Sequence, residues 1–334
     1  MNPNRILISR TDSIGDVMLT LPMCVWLKQT FPNATLIYLG KNYTQPVVDC
    51  FSVVDEFVDW NEFEQVPTAL KLSKFRALEI DTIIHVFPNK EIAQLAKKAK
   101  VQHRIGTSHR GFHFLTCNHK VNFTRKNAVE HEAQLNFHLL KPFGLKEIPS
   151  FETVQLMVEY FKVLAIDLPK EIPFNGQSKN IILHPKSQGS AVEWPMESYL
   201  KLAEILIQND WTVYFTGTEK EGLLFRNSLP KQDKIVDLTG KLSLTELITF
   251  IARMDALVAC STGPLHISGF VNTHTIGLFS PRIPIHPGRW KPLGKNVTTL
   301  VFDPTCKDCG KKKKCTCVQK ITVESVFQAI TTSH

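Results

Sequence analysis

Short apolar stretches of strand length alternate with helix-patterned stretches in two separate runs, and this order restricts the chain to parallel sheets covered by helices. In the first run RILISR (5–10), ATLIYLG (34–40), EFVDW (56–60), DTIIHVF (81–87) and VQHRIG (101–106) read as strands. Residues 16–30 carry Val17, Leu19, Leu21, Val25 and Leu27 at helical spacing, with Pro22 placed to kink or split the helix. The pattern loosens after about residue 145, and LPKEIPFNGQSKN (168–180) reads as a linker. A second run follows with NIILHP (180–185), a helix over 196–208, WTVYFTG (211–217), KIVDLTG (234–240), a helix over 243–254, ALVACS (256–261) and HTIGLFS (274–280). VESVFQAI near the end is a last amphipathic helix. The expected organisation is an α/β domain over 1–167, a linker over 168–180, a second α/β domain over 181–320, and a helix with tail over 321–334. A length of 334 residues suits two domains, and 43% hydrophobic residues suits two real cores.

The formal charge of +8 favours anionic partners. No recognised nucleic-acid module is present, so no nucleic-acid partner is expected. No apolar run approaches the roughly 18 residues of a membrane span, and the start does not read as a signal peptide. A cytoplasmic location is expected.

Ligands of open α/β sheets sit beyond the carboxyl ends of the strands, so the loops that follow strands carry the argument. The first is TDSIGDV. A dinucleotide fingerprint needs three glycines there, and only Gly15 is present, which disfavours a dehydrogenase. Asp16 sits at a helix start, where it reads either as a cap or as a general base; Asp12 competes for the second role. The second loop, HPKSQGSAVEWP, offers Lys186, Ser187, Gly189 and Ser190 for phosphate oxygens, or is a solvated loop. The third, TGTEKEG, presents Glu219 and Glu221, as ribose ligands or as first-turn helix acids. In the fourth, CSTGPLHISG, Ser261 or Thr262 can cap a helix, Gly263 permits close backbone approach, and His266 lies one turn in. That constellation reads as an anion site, although a lone histidine is more often structural.

A basic stretch holds Lys97, Lys98, Lys100, Arg104, Arg110, Lys120, Arg125 and Lys126, with only Glu130 against them before His131. It reads as a solvated face or as a site for an anionic partner. Finally, CKDCGKKKKCTC places Cys306, Cys309, Cys315 and Cys317 in a C-x2-C-x5-C-x-C spacing. Four thiolates so spaced suit structural Zn²⁺, although this is not a standard ribbon pattern. Lys311–Lys314 would offset thiolate charge or meet membrane phosphates.

The ordered set RILISRTDSIGDVMLTLPMCVWLKQTFP, RIG with its basic stretch, HEAQLN, IILHPKSQGSAVEWPMESYLKLAEIL, FTGTEKE, and DLTGKLSLTELITFIARMDALVACSTGPLHISG, followed by the cysteine-rich segment, resembles glycosyltransferase family 9, the heptosyltransferases of lipopolysaccharide core synthesis. The resemblance spans about residues 5–330. It implies a GT-B fold, with two Rossmann-like domains facing across a cleft. It implies inverting transfer without a required cofactor, from ADP-L-glycero-D-manno-heptose to a phosphorylated lipid A–Kdo acceptor at the cytoplasmic face of the inner membrane. By the same resemblance Asp16 is the base, and Glu221, Thr262, Gly263 and His266 hold the donor, to which the reading of the two loops adds Lys186, Ser187 and Ser261. Arg104, Arg110, Lys120 and Arg125 would hold the acceptor's phosphates. Two positions depart from the family pattern. Val192 stands where many members carry a lysine, with Lys186 its substitute from the same loop, and Cys260-Ser261 replaces an Asn-Asp pair. These departures leave open a transferase for another nucleotide sugar, or a non-catalytic sugar-nucleotide-binding relative.

Overall fold

A computed structural model of the chain describes residues 1–125, 129–174, 176, 179–306, 309 and 316–332. The chain divides into two compact units, Met1–Lys162 and Val163–His334. Each carries one six-stranded sheet, and every strand pair in both sheets is parallel.

The first sheet uses β1 (Arg5–Ser9), β2 (Thr35–Gly40), β3 (Glu56–Asp59), β4 (Thr82–His85), β5 (His103–Thr107) and β6 (His119–Val121), in the order β3-β2-β1-β4-β5-β6. Ile6, Leu7, Ile8, Ile83 and Ile84 are fully buried. Strands covered on both faces read as continuous apolar runs, which is why β1 and β4 were conspicuous in the sequence. On one face Leu7, Ile37 and Ile83 pack with Trp60, Phe63, Phe75 and Ile92. The expected helix over 16–30 is two helices, Ile14–Met18 and Leu21–Thr30. Pro22 lies in the first turn of the second, where a missing N–H costs no hydrogen bond. The unit closes where Phe51 bridges Phe161 and the Lys162 amide donates to the Cys50 carbonyl at 2.6 Å.

The second sheet uses β7 (Lys179–His184), β8 (Trp211–Phe215), β9 (Ile235–Asp237), β10 (Ala256–Cys260), β11 (His274–Leu278) and β12 (Val297–Leu300), in the order β12-β11-β10-β7-β8-β9. β7 begins at Lys179, inside the stretch that reads as linker. Residues before it run along this unit, with the Leu164 carbonyl accepting from Thr249 Oγ1 at 3.4 Å and the Pro173 carbonyl from Tyr214 Oη at 2.9 Å. The helices Met196–Gln208 and Val323–Thr331 share one core, built from Trp194, Tyr199, Leu202, Val326 and Ile330. β6 and β12 were not foreseen, because HKV and VTTL are too short and too polar to stand out as strands.

The strand order reverses between β1 and β4 in the first sheet, and between β7 and β10 in the second. Such reversals open a crevice at the carboxyl edge, because the connections on either side leave in opposite directions. Among the described residues no helix is long and apolar enough to cross a membrane.

One backbone approach fixes the helix Gly263–Phe270 in the second unit. A Cβ on Gly269 would lie 2.3 Å from the Leu293 carbonyl oxygen, and one on Gly294, at φ +143°, 2.2 Å from the Gly269 oxygen. A Cβ on Gly111 meets nothing within 4 Å. Gly294→Ala is therefore expected to cost about 3 kcal/mol in urea unfolding, by strain and overpacking together. Gly111→Ala is expected to be neutral, or to stabilise by about 0.5 kcal/mol.

Candidate functional site

At the β1/β4 reversal the chain leaves β1 through Arg10, which is 3% exposed. Its Nε donates to Asp12 Oδ1 at 2.9 Å, its Nη2 pairs with Asp16, and its Nη1 faces Glu132 Oε1 at 3.4 Å and Asn136 Oδ1 at 3.3 Å. Glu132 and Asn136 stand one turn apart on the helix Glu132–Phe137, so both face the same guanidinium. Arg125 joins from the outer side, with Nε 2.8 Å from Glu132 and Nη2 donating to Asn136 at 2.7 Å. Asn136 Nδ2 in turn donates to the Leu19 carbonyl at 2.9 Å.

Asp16 is the third residue of the helix Ile14–Met18, and the Ser13 hydroxyl donates to it. Its carboxylate caps no helix amide: its described partners are Arg10 and Ser13, and Ser13 itself makes no side-chain cap. Burial opposes the charge on Arg10, but Asp12, Asp16 and Glu132 outweigh it and hold the guanidinium protonated. Burial lifts the Asp12 carboxyl to about 6 against the pull of Arg10, with Asp16 adding to the rise. The turn thus holds two carboxylates on one guanidinium, each side chain 20% exposed. Asp12, near 6, can accept a proton close to neutral pH. Neither Arg10 nor the Glu132/Asn136 pair was singled out in the sequence. The available signal was the four-residue spacing inside HEAQLN.

The basic stretch separates into inward and outward residues. Arg104 donates through Nε to the Thr116 carbonyl at 2.7 Å, and through Nη1 to the Val101 carbonyl. Its guanidinium is committed to holding the fold, which weighs against the expected acceptor role. Arg125 belongs to the Arg10 network. Arg110 and Lys120 are exposed, and Lys126 lies outside the described residues.

At the β7/β10 reversal two loops meet, with Ser190 Oγ donating to the Ser261 carbonyl at 3.5 Å. After β7, Lys186 Nζ lies 3.0 Å from Glu193 Oε2, and the Ser187 amide and hydroxyl donate to Glu193 Oε1 at 2.9 and 3.0 Å. Burial resists ionisation of Glu193, yet the bonds from Lys186 and Ser187 hold its carboxyl below the usual value. Glu193 was missed in the sequence, because nothing in AVEWP marks it as the partner of a lysine seven residues earlier.

After β10, Thr262 precedes the helix Gly263–Phe270 but makes no side-chain cap, and its buried Oγ1 has no partner among the described residues. His266, 2% exposed, has an Nδ1 with no partner among the described residues, and burial pushes its pKa down to about 4. It is neutral at pH 7 and offers a hydrogen bond rather than a charge. An uncapped helix start with a buried, unsatisfied hydroxyl beside it suits an anion. After β8, Glu221 closes a capping box, its Oε2 accepting from the Thr218 amide at 2.7 Å and hydroxyl at 2.9 Å. The first-turn-acid alternative thus describes part of its role, while Oε1 takes no described bond. Glu219 is held by Arg226 through two 2.8 Å bonds.

Cys306, Cys309 and Cys317 bring their sulfurs within 4.8 Å of one another; Cys315 lies outside the described residues. Cys309 and Cys317 are buried and pack with Val192 of the β7 loop. Three soft donors so close fit Zn²⁺ or iron.

Comparison with known proteins accords with this geometry. The family model for glycosyltransferase family 9 (heptosyltransferase) matches residues 73–320. A Haemophilus influenzae protein with the provisional description of glycosyltransferase is 25% identical, over 93% of this chain and 91% of its own length. Lipooligosaccharide heptosyltransferase 2 of the same organism is 27% identical, over 88% of each. The solved structure of Escherichia coli heptosyltransferase WaaC with ADP-2-deoxy-2-fluoro heptose aligns with a TM-score of 0.69 at 16% identity, covering 98% of both chains. With two parallel sheets of this order and a family match over most of its length, the chain belongs to glycosyltransferase family 9, the heptosyltransferase family, and is a glycosyltransferase of GT-B type.

Proposed function

We propose that this enzyme transfers heptose, with inversion, from ADP-L-glycero-D-manno-heptose to a phosphorylated lipid A–Kdo or inner-core acceptor in lipopolysaccharide biosynthesis. It would work in the cytoplasm, at the inner face of the inner membrane. The observation that carries the reading is the content of the two strand-order reversals. One holds a carboxylate pair on a buried guanidinium, and the other an uncapped helix start with unsatisfied polar groups. The named relatives support heptose as the sugar, and the ligand of the solved relative supports ADP as the nucleotide.

The acceptor hydroxyl oxygen attacks the anomeric carbon, and its proton passes to Asp16. The bond from that carbon to the donor phosphate breaks with its electron pair on ADP. A positioned base contributes roughly 10²–10⁴-fold. The remainder comes from stabilising charge that grows on the diphosphate. Lys186, the Ser187 hydroxyl, the backbone at Ser261–Gly263, the Thr262 hydroxyl and neutral His266 are the groups assigned to it. Glu221 Oε1 is assigned to donor hydroxyls. Arg110 and Lys120 are the exposed cations assigned to the acceptor's phosphates, together with Arg125 of the Arg10 network. The cysteine cluster is assigned a structural Zn²⁺ or iron held by Cys306, Cys309 and Cys317, with Cys315 as a further candidate ligand. A metal there would cross-link the segment before the last helix to itself, with Val192 of the β7 loop packed against its thiols. A different nucleotide sugar is the second reading. It is favoured by Cys260, a buried thiol pushed up to about 12 by burial, which offers the sugar no charge.

Asp16→Asn should lower turnover at least a hundredfold at unchanged ADP affinity. Near-normal turnover would remove Asp16 as the base. Because the Asp12 carboxyl sits near 6, it takes up a proton as pH falls through that value. The wild-type pH–rate profile should therefore show an acid limb near pH 6, which Asp12→Asn should lack. If Asp12→Asn instead abolishes turnover while Asp16→Asn retains it, Asp12 is the base. Lys186→Ala should raise the Kd for ADP about tenfold by calorimetry. An unchanged Kd excludes Lys186 from the donor site. Elemental analysis should find about one zinc or iron per chain, lost in Cys309→Ser.

A further inference from the structure

The helix Gly111–Thr116 follows β5 and turns two of its residues inward, His113 at 0% and Thr116 at 5% exposure. Phe114 and Leu115, between them, stand out at 60% and 74%. Lone exposed apolar residues need no explanation, but an adjacent aromatic–aliphatic pair on one short helix does. Its surroundings are basic. Arg110 at the helix start is exposed, and Lys120 Nζ lies 5.9 Å above the Phe114 ring. The helix packs against Lys90–Lys98, whose end carries exposed Lys97 and Lys98, with Lys100 just beyond. No Asp or Glu occurs between Lys97 and Arg125.

The surface also has a place relative to the candidate base. In a parallel sheet all carboxyl ends share one edge. β5 lies two positions from β1, so the loops after these strands start about 10 Å apart. The Asp12–Asp16 turn lies at that edge, whereas the helix carrying the apolar pair runs back from it, its Thr116 carbonyl accepting from Arg104 near the start of β5.

We infer that Phe114 and Leu115 form a wedge that enters the interface of an anionic lipid bilayer, with Arg110, Lys120 and the Lys97–Lys100 cluster drawn to its phosphates. This rests on the reading of the acceptor as an anionic lipid-linked glycan, and gives it a route. The enzyme docks where the acceptor's lipid stays anchored. The same charges disfavour a second copy as the occupant, because self-association would bring like-charged lysines together around only two apolar side chains. Phosphatidylglycerol supplies what the patch lacks, an anionic plane over an apolar interior.

The full-length protein, and a Phe114→Ser/Leu115→Ser variant, would be floated with phosphatidylcholine vesicles and with vesicles containing 30% phosphatidylglycerol (a composition of about the anionic content that attracts basic surfaces). Wild type should bind the anionic vesicles, more weakly as salt rises, and not the neutral ones. The double variant should bind at least tenfold more weakly, with ADP affinity and size-exclusion volume unchanged. Arg110→Ser/Lys120→Ser should bind more weakly and depend less on salt. The inference is overturned if wild type ignores both vesicles, if the apolar variant binds as wild type does, or if that variant shifts a dimer to monomer. Transfer to a lipid acceptor is scored separately. Vesicle binding without heptose transfer sinks the assigned activity and leaves the docking surface standing, whereas transfer without vesicle binding does the reverse.

Discussion

A buried guanidinium organises the first unit. Arg10 is withdrawn from solvent, and an unpaired charge there would be costly; Asp12, Asp16 and Glu132 compensate it from three directions. The bond partners come from the turn after β1, the helix start that follows, and the helix Glu132–Phe137, so one side chain ties three segments together. The arrangement is asymmetric in a useful way. The cation is enclosed while Asp12 and Asp16 remain partly exposed, so a carboxylate is oriented by rigid contacts and still reachable from outside. Without Arg10, Asp12 and Asp16 would sit side by side with no cation between them, and the turn would lose the reason for its shape.

The second unit solves the opposite problem. Its β7 and β10 loops collect donors rather than acceptors: a lysine, a serine amide and hydroxyl, an uncapped helix start and a threonine hydroxyl without a partner. Glu193 occupies the first three of these contacts. An anion entering there would have to displace a carboxylate already held. The Gly269–Gly294 backbone contact fixes the helix that begins at this site. The packing of Val192 against buried thiols braces the other loop.

Much of this architecture was legible from the residues. The alternation of strand and helix patterns marked parallel sheets because strands buried on both faces are continuously apolar. The loops after β1, β7, β8 and β10 were identifiable because glycines, hydroxyl residues and helix-start acids cluster there. Helix boundaries were less legible. Pro22 was visible as a break, but whether it kinked or divided the helix depended on Thr20 and Leu21 taking the role of a new helix start. Short polar strands such as β6 and β12 carry too little pattern to be distinguished from loops.

The sequence by itself determined the fold class, the order of the elements and the residue types at the strand ends, because periodicity and turn chemistry are local. Only the tertiary structure decided which of those residues share a partner. It took Arg104 inward to backbone carbonyls, placed Glu193 on Lys186, and brought Glu132 and Asn136 to Arg10 from more than a hundred residues away in the chain. Contacts of that separation leave no periodic trace, since they depend on how whole elements are docked rather than on spacing within any one of them. For the same reason a carboxylate that reads equally as a cap or a base in TDSIGDV is resolved, in three dimensions, as the partner of a buried arginine.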